Sequence, residues 1–200
     1  MRHRLTRRLA VFGFAAAMLL AGAKAHAEPN DLPASADLGQ FYPKQADLPD
    51  GWSLTSQEAL AAPSPDSTTP AGCSLAHFFP PGSARTVAGP GNSTLVVRLL
   101  VGRDGLHTVR SWAEKCASFT MLGGGGTTGK NWMSVQTADA PASGALAYRV
   151  TGQGPYAPAE LLLAGSVRGA LVLVAQLDPA DDAAADVYRA VAAKINDWRG

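Results

Sequence analysis

The sequence has 200 residues, 46% of them hydrophobic, with 17 Lys and Arg against 16 Asp and Glu. Five of the basic residues and none of the acidic ones fall in the first 27 positions, so the remaining 173 carry 12 against 16, a net charge of −4. That length makes one domain of ordinary size, and the acidity speaks against nucleic acid or an anionic membrane as partner, since either calls for a basic face.

Residues 1–27 read as a secretory signal peptide. Arg2, Arg4, Arg7 and Arg8 form the basic start, Leu9 to Ala23 is an uncharged run of 15 residues, and Ala25-His26-Ala27 precedes a cut before Glu28. The run is shorter than the roughly 18 to 20 residues a spanning helix needs, so no transmembrane anchor is expected after cleavage; an uncleaved anchor is the alternative. Leu20-Ala21-Gly22-Ala23 has the form of a bacterial lipoprotein box with Ala23 in place of the lipidated cysteine. Thr6-Arg7-Arg8-Leu9-Ala10-Val11 loosely matches a twin-arginine signal, which leaves both export routes open.

Residues 28–47 carry Pro29, Pro33 and Pro43 without a sustained apolar period and read as a flexible N-terminal arm. The folded domain then covers 48–200. Leu48-Pro49-Asp50-Gly51-Trp52 is turn chemistry leading into a first strand, Trp52 to about Glu58, followed by a Ser, Pro and Thr loop from Ala62 to Thr69. Pro70 to Phe79 suits a short helix ended by Pro80-Pro81. Ala84–Ala88 suits a strand, Gly89-Pro90-Gly91-Asn92 a turn, and the β-branched run Ser93–Val101 a strand stopped by Gly102. Val109, Trp112, Ala113, Cys116 and Phe119 have helical spacing, which predicts a helix over Leu106–Phe119, ended by Gly123-Gly124-Gly125-Gly126. Trp132–Thr137 and Leu146–Thr151 read as strands, and Gly152–Pro158 as a loop.

Ala159 to Leu177 is the most apolar part of the mature chain, and it reads as a β-hairpin turning at Val167-Arg168-Gly169. A single helix is the competing reading, but Gly165 and Gly169 would each cost it about 1 kcal/mol. Asp178-Pro179 then suits the N-cap and first position of a last helix, with Val187, Val191, Ile195 and Trp198 as its buried stripe. The order implies a single α+β domain: a mainly antiparallel β-sheet packed against two or three helices.

The two cysteines, Cys73 and Cys116, both lie in the exported part. An even pair in an oxidising compartment reads first as one disulfide, with two buried thiols or a redox pair as alternatives; redox pairs usually come as Cys-x-x-Cys. A bond closing this loop stabilises a fold by roughly 4 kcal/mol on the chain-entropy model.

No motif supplies a reaction, a metal site or a cofactor. Gly124 to Lys130 fits the first seven places of a phosphate-binding loop, but Asn131 stands where Ser or Thr holds Mg²⁺, and the loop follows a helix and precedes a strand. The mature chain has only His77 and His107, with no His-Glu-x-x-His and no Gly-x-Ser-x-Gly elbow. A Ser-His-Asp set assembled from distant residues is the form a hydrolase would have to take. Asn92-Ser93-Thr94 fits a glycosylation sequon, a match common by chance behind a bacterial-type signal. Among the aromatics, Trp112, Trp132, Tyr148 and Tyr156 are candidates for lining an apolar ligand groove between sheet and helices, with core packing as the alternative for each.

Leu48-Pro49-Asp50-Gly51-Trp52, the Pro-x-x-Cys of Pro70–Cys73, Trp112-x-x-x-Cys116-x-x-Phe119 and the Val167-Arg168-Gly169 turn together resemble one family. It comprises the extracytoplasmic sensor domains of mycobacterial Ser/Thr kinases and their stand-alone secreted or lipoprotein relatives, and the resemblance runs from about Leu48 to Trp198. It implies an antiparallel sheet flanked by helices, a Cys73–Cys116 bond and a cleft for an unidentified ligand. A second disulfide of the kinase sensor domain has no counterpart in a chain with two cysteines, no kinase domain is attached, and the family offers no catalytic residues to carry over. The expectation is a secreted or cell-envelope, non-enzymatic domain that binds a small molecule, lipid or envelope component, with a protein-partner module as the alternative.

Overall fold

The computed structural model describes residues 30–55, 68–80, 82–102, 104–122, 130–153, 159–179 and 181–199. The expected signal peptide, the glycine run and its phosphate-loop match, and Tyr156 lie outside them. Nine strands follow in chain order: β1 (Ser53–Thr55), β2 (Thr68–Thr69), β3 (Arg85–Ala88), β4 (Thr94–Val101), β5 (Ser118–Leu122), β6 (Lys130–Thr137), β7 (Leu146–Gln153), β8 (Glu160–Val167) and β9 (Ala170–Leu177). They form one sheet in the order β1-β3-β4-β9-β8-β7-β6-β5-β2, antiparallel throughout. Helix α1 (Gly105–Lys115) packs on one face, and α2 (Ala183–Asp197) lies on β8 and β9 across the other. Among the described residues no helix is long and apolar enough to cross a membrane.

The hairpin occupies the middle of the sheet. In β9 every residue from Ala170 to Gln176 is buried, because odd and even positions face different helices. Val172 and Val174 join the α2 cluster with Leu163, Val187, Tyr188, Val191 and Ile195. Leu171, Leu173 and Ala175 join the α1 cluster with Leu162, Val109, Trp112 and Phe119. Gln176 is the polar exception, fully buried with both ends of its amide used: Nε2 donates to Asp181 Oδ1 at 2.9 Å and Oε1 accepts from the Ala184 N–H at 3.2 Å.

The hairpin turn has two residues, Arg168 and Gly169, with φ of 47° and 75°. Both are positive, as a two-residue turn matched to strand twist requires. Gly169 takes this conformation without steric cost, whereas Arg168 is held in it by its side chain. Its Nε donates to the Asn30 carbonyl at 2.6 Å, its Nη1 donates to the carbonyls of Ile195 (3.0 Å) and Trp198 (2.6 Å), and its guanidinium lies over the Trp198 ring. One cation thus ties the turn to the end of α2 and to the N-terminal segment.

Several expectations are corrected. Residues 30–47, expected as a flexible arm, pack on the α2 side through the buried Leu32 and Phe41, and Phe41 meets Trp198 edge-on at 6.2 Å. Lys194 bonds the Tyr42 carbonyl and pairs with Asp47. The predicted helix to Phe119 ends at Lys115, and Ser118–Leu122 is a strand paired with β6. Phe119 is buried on the α1 side, so its apolar position suited a helix stripe as well as a strand face. Thr68–Thr69, expected in a loop, extends the sheet edge, and the short helix before Pro80 is only a 3₁₀ turn, Leu75–Phe78, capped by the Ser74 hydroxyl.

Asp178 does not cap α2. Its φ is 51° and its N–H donates to the Ala159 carbonyl, closing the base of the hairpin. Asp181 supplies the helix-start bond instead, accepting from the Ala183 N–H at 3.1 Å.

Gly165 shows how closely α2 approaches: a Cβ added there would lie 1.7 Å from the Tyr188 hydroxyl. Gly165→Ala is therefore expected to destabilise the fold by about 2–3 kcal/mol, measured as a lower urea midpoint, with part of the loss recovered by adding Tyr188→Phe. An unchanged midpoint would contradict the seating of α2 on β8.

Candidate functional site

The α1 face holds the site. Cys73 precedes the 3₁₀ turn, Cys116 caps α1, both are fully buried, and they form a disulfide with Cα atoms 5.4 Å apart. The bond fastens the 3₁₀ turn to the end of α1 and, with Phe78 packed edge-on against Trp112, holds the two short elements over the sheet as one layer. Between them lies a cleft of about 220 Å³, lined by His77 and Phe78 from the turn, Gly105, Thr108 and Val109 from α1, and Arg98, Leu100, Leu171 and Leu173 from the sheet.

Arg98 is the charge in this cleft. It stands on β4 among Val96, Val97, Leu99 and Leu100, and even-numbered positions of that strand face α1. Its Nη1 donates to the Phe78 carbonyl at 2.6 Å, while its buried Nε has no partner among the described residues. Leu171 and Leu173 form the apolar floor, and Gly105 opens α1 where an added Cβ would be 2.3 Å from Leu171 Cδ2, so the helix start sits directly on that floor. The cleft thus sets a cation, one N–H of which is held by the Phe78 carbonyl, beside an apolar floor.

The four aromatic candidates do not form one groove. Trp112 and Tyr148 are buried and touch edge-on at 6.4 Å, and Trp112 meets Phe78 at 5.2 Å, so these two back the wall of the cleft as core residues. The indole Nε1 of Trp112 is a second buried donor without a partner among the described residues. Trp132 is 63% exposed on the opposite face of the sheet. The reading of the sequence passed over Arg98, although a cation interrupting the apolar run Leu95-Val96-Val97-Arg98-Leu99-Leu100 was a visible signal.

Elsewhere the electrostatics serve the fold. Burial raises the Asp47 carboxyl, but the hydrogen bonds from Lys194 and the Lys44 N–H outweigh it and leave the group below its ordinary value. Asp181 is likewise raised by burial and lowered further by Gln176, the Ala183 N–H and Trp52. Glu160, at the start of β8, is pushed up to about 7 by burial and then by the nearby Asp178 carboxylate. Among the described residues no group of three or more His, Cys, Asp or Glu is placed to hold a metal ion.

No family model and no curated protein matches this sequence. Among solved structures, the chain is similar to the extracellular domain of PknH from Mycobacterium tuberculosis, with 11% identity and a TM-score of 0.45 over 56% of this chain and 62% of that one. It is also similar to an uncharacterized protein from Mycobacterium smegmatis, the Rv0999 ortholog, with 16% identity and a TM-score of 0.43 over 81% of this chain and 97% of that one. The chain thus spans less than two thirds of the PknH domain's length. Both neighbours are mycobacterial.

Two outcomes follow. Cys116→Ser should lower the melting temperature by well over 5 °C under oxidising conditions, as loss of about 4 kcal/mol implies; an unchanged melt would contradict the disulfide's structural role. Glu160 holds a proton in the folded state between its ordinary pKa of 4.5 and about 7, where the unfolded chain has released it. Its contribution is therefore full below pH 4.5 and lost as pH rises through 7. Urea unfolding at pH 5 and pH 8 should show wild type losing more stability across this window than Glu160→Gln, and equal losses would contradict the burial of Glu160.

Proposed function

We propose that this protein is a secreted or cell-envelope binding domain without catalytic activity, and that its ligand is a small amphiphilic anion held in the Arg98 cleft. The supporting observation is the Arg98 side chain lining the cleft beside the apolar floor of Leu171 and Leu173. A carboxylate or phosphate end would take a charge-assisted bond from the guanidinium, and the apolar end would leave water against the leucines and Val109. The cleft is small for a whole lipid, so the fitting ligand is a short-chain acid or the terminal part of a longer envelope lipid. The leader-like start of the sequence supports the extracytoplasmic placement. The Cys73–Cys116 bond gives the binding layer its rigidity, since it joins both walls of the cleft.

Isothermal titration with octanoate, octanol and octylamine tests this reading. Octanoate is expected to bind saturably, at least about tenfold more tightly than the other two, and Arg98→Met should remove that preference. Equal binding of octanol and octanoate, or no binding of octanoate, would contradict it.

A further inference from the structure

On the α2 side of the sheet, the α2 cluster reaches β7 only at Ala147 among the described strand residues beyond β8. Beyond it, β7, β6 and β5 present alternate side chains in rows fixed by their register: Thr120, Trp132 and Gln153 in one row, Ser118, Ser134 and Thr151 in the next. Gln136 follows, paired with the exposed Arg149 at the edge. The other side chains of the same strands, Phe119, Met133, Tyr148 and Val150, are buried on the α1 side. The result is a shallow depression of about 360 Å³, lined by Ser118, Trp132, Met133, Ser134, Gln136, Thr151 and Gln153.

Trp132 breaks the pattern of this surface. Its neighbours in the depression are hydroxyls and amides, the next row toward the strand end is the exposed pair Leu122 and Lys130, and the indole stands 63% exposed among them. An exposed aromatic ring surrounded by uncharged hydrogen-bonding groups marks a surface that meets a ligand with both apolar and polar faces.

We propose that this shelf binds a neutral carbohydrate chain, with one pyranose ring stacked on Trp132. A pyranose has a face of C–H groups and a rim of hydroxyls that each donate and accept. The indole takes the first. The amides of Gln136 and Gln153 and the hydroxyls of Ser118, Ser134 and Thr151 take the second, because these groups also both donate and accept. Ser134 and Thr151 already lie 3.1 Å apart, so the two hydroxyls act as one polar unit. The side chains that line the depression are uncharged, and the exposed Lys130 and Arg149 stand at its two ends on the same face. The open shape suits a chain lying across the strands rather than an enclosed small molecule. This site lies across the sheet from the Arg98 cleft and is independent of it.

Titration calorimetry with maltohexaose and with cellohexaose provides the test. At least one hexasaccharide should bind wild type saturably, and Trp132→Ala should weaken that binding by at least about tenfold. Because Trp132 is exposed, its melting temperature should hold; the double variant Gln136→Ala/Gln153→Ala should weaken binding in the same way and serves if Trp132→Ala fails to fold. Arg98→Met should bind the sugar as wild type does, which separates this site from the cleft. Absence of saturable binding to both sugars, or undiminished binding by Trp132→Ala, would overturn the proposal. So would sedimentation of wild type as a dimer that Trp132→Ala converts to monomer, since the shelf would then be a self-association surface.

Discussion

Every residue of β9 from Ala170 to Gln176 is buried, and a strand apolar on both faces has to be covered on both. The rest of the chain meets that demand. α2 and residues 30–47 cover one side, α1 and the 3₁₀ turn the other, and the neighbouring strands β4 and β8 complete its hydrogen bonds. The few polar groups in this region sit where cover is being fastened. Gln176 and Asp181 fix the start of α2, and Arg168 fixes its end together with the N-terminal segment. Each of these groups satisfies backbone donors or acceptors that burial would otherwise leave unpaired.

The two layers differ in how they are attached, and the difference bears on function. α2 has 15 residues and a continuous apolar stripe, so packing holds it. α1 has 11 residues and the 3₁₀ turn only four, and the disulfide joins them covalently. A layer made of short stapled pieces leaves a seam, and that seam is the Arg98 cleft. On the other face, α2 is too narrow to span nine strands, and among the described residues β5, β6 and the far part of β7 lie beside it. One fold therefore presents a cationic, apolar-floored cleft on one face and a polar depression on the other.

Much of this was legible in the sequence because periodicity and burial agree. The hairpin, β4, β6, β7 and the α1 core positions Val109, Trp112 and Ala113 follow from local pattern alone, and the Cys73–Cys116 bond from the even cysteine count and the resemblance. What escaped depends on partners far away in the chain. Positive φ at Arg168 is stabilised by carbonyls of Asn30, Ile195 and Trp198, none of which a local reading connects to the turn. Asp178-Pro179 carries a helix-start signal, yet the buried Gln176 amide engages Asp181 and the Ala184 N–H, and the helix begins at Ala183. Leu32 and Phe41 are too widely spaced in a proline-rich stretch to announce that it is packed. The candidate site was only half read: Trp112 and Tyr148 lie behind the cleft and Trp132 across the sheet from it, while Arg98, a cation interrupting an apolar run, was a signal left unused.

The central claim is that the stapled α1 layer binds a ligand anchored by Arg98, and native mass spectrometry of the protein purified from its producer tests it most directly. The account predicts a mass lower by two hydrogens than the reduced chain, together with an anionic adduct that dissociates on activation and is absent from the Arg98→Met variant purified in the same way. A disulfide-bonded protein that emerges empty, or an adduct retained by Arg98→Met, would contradict it.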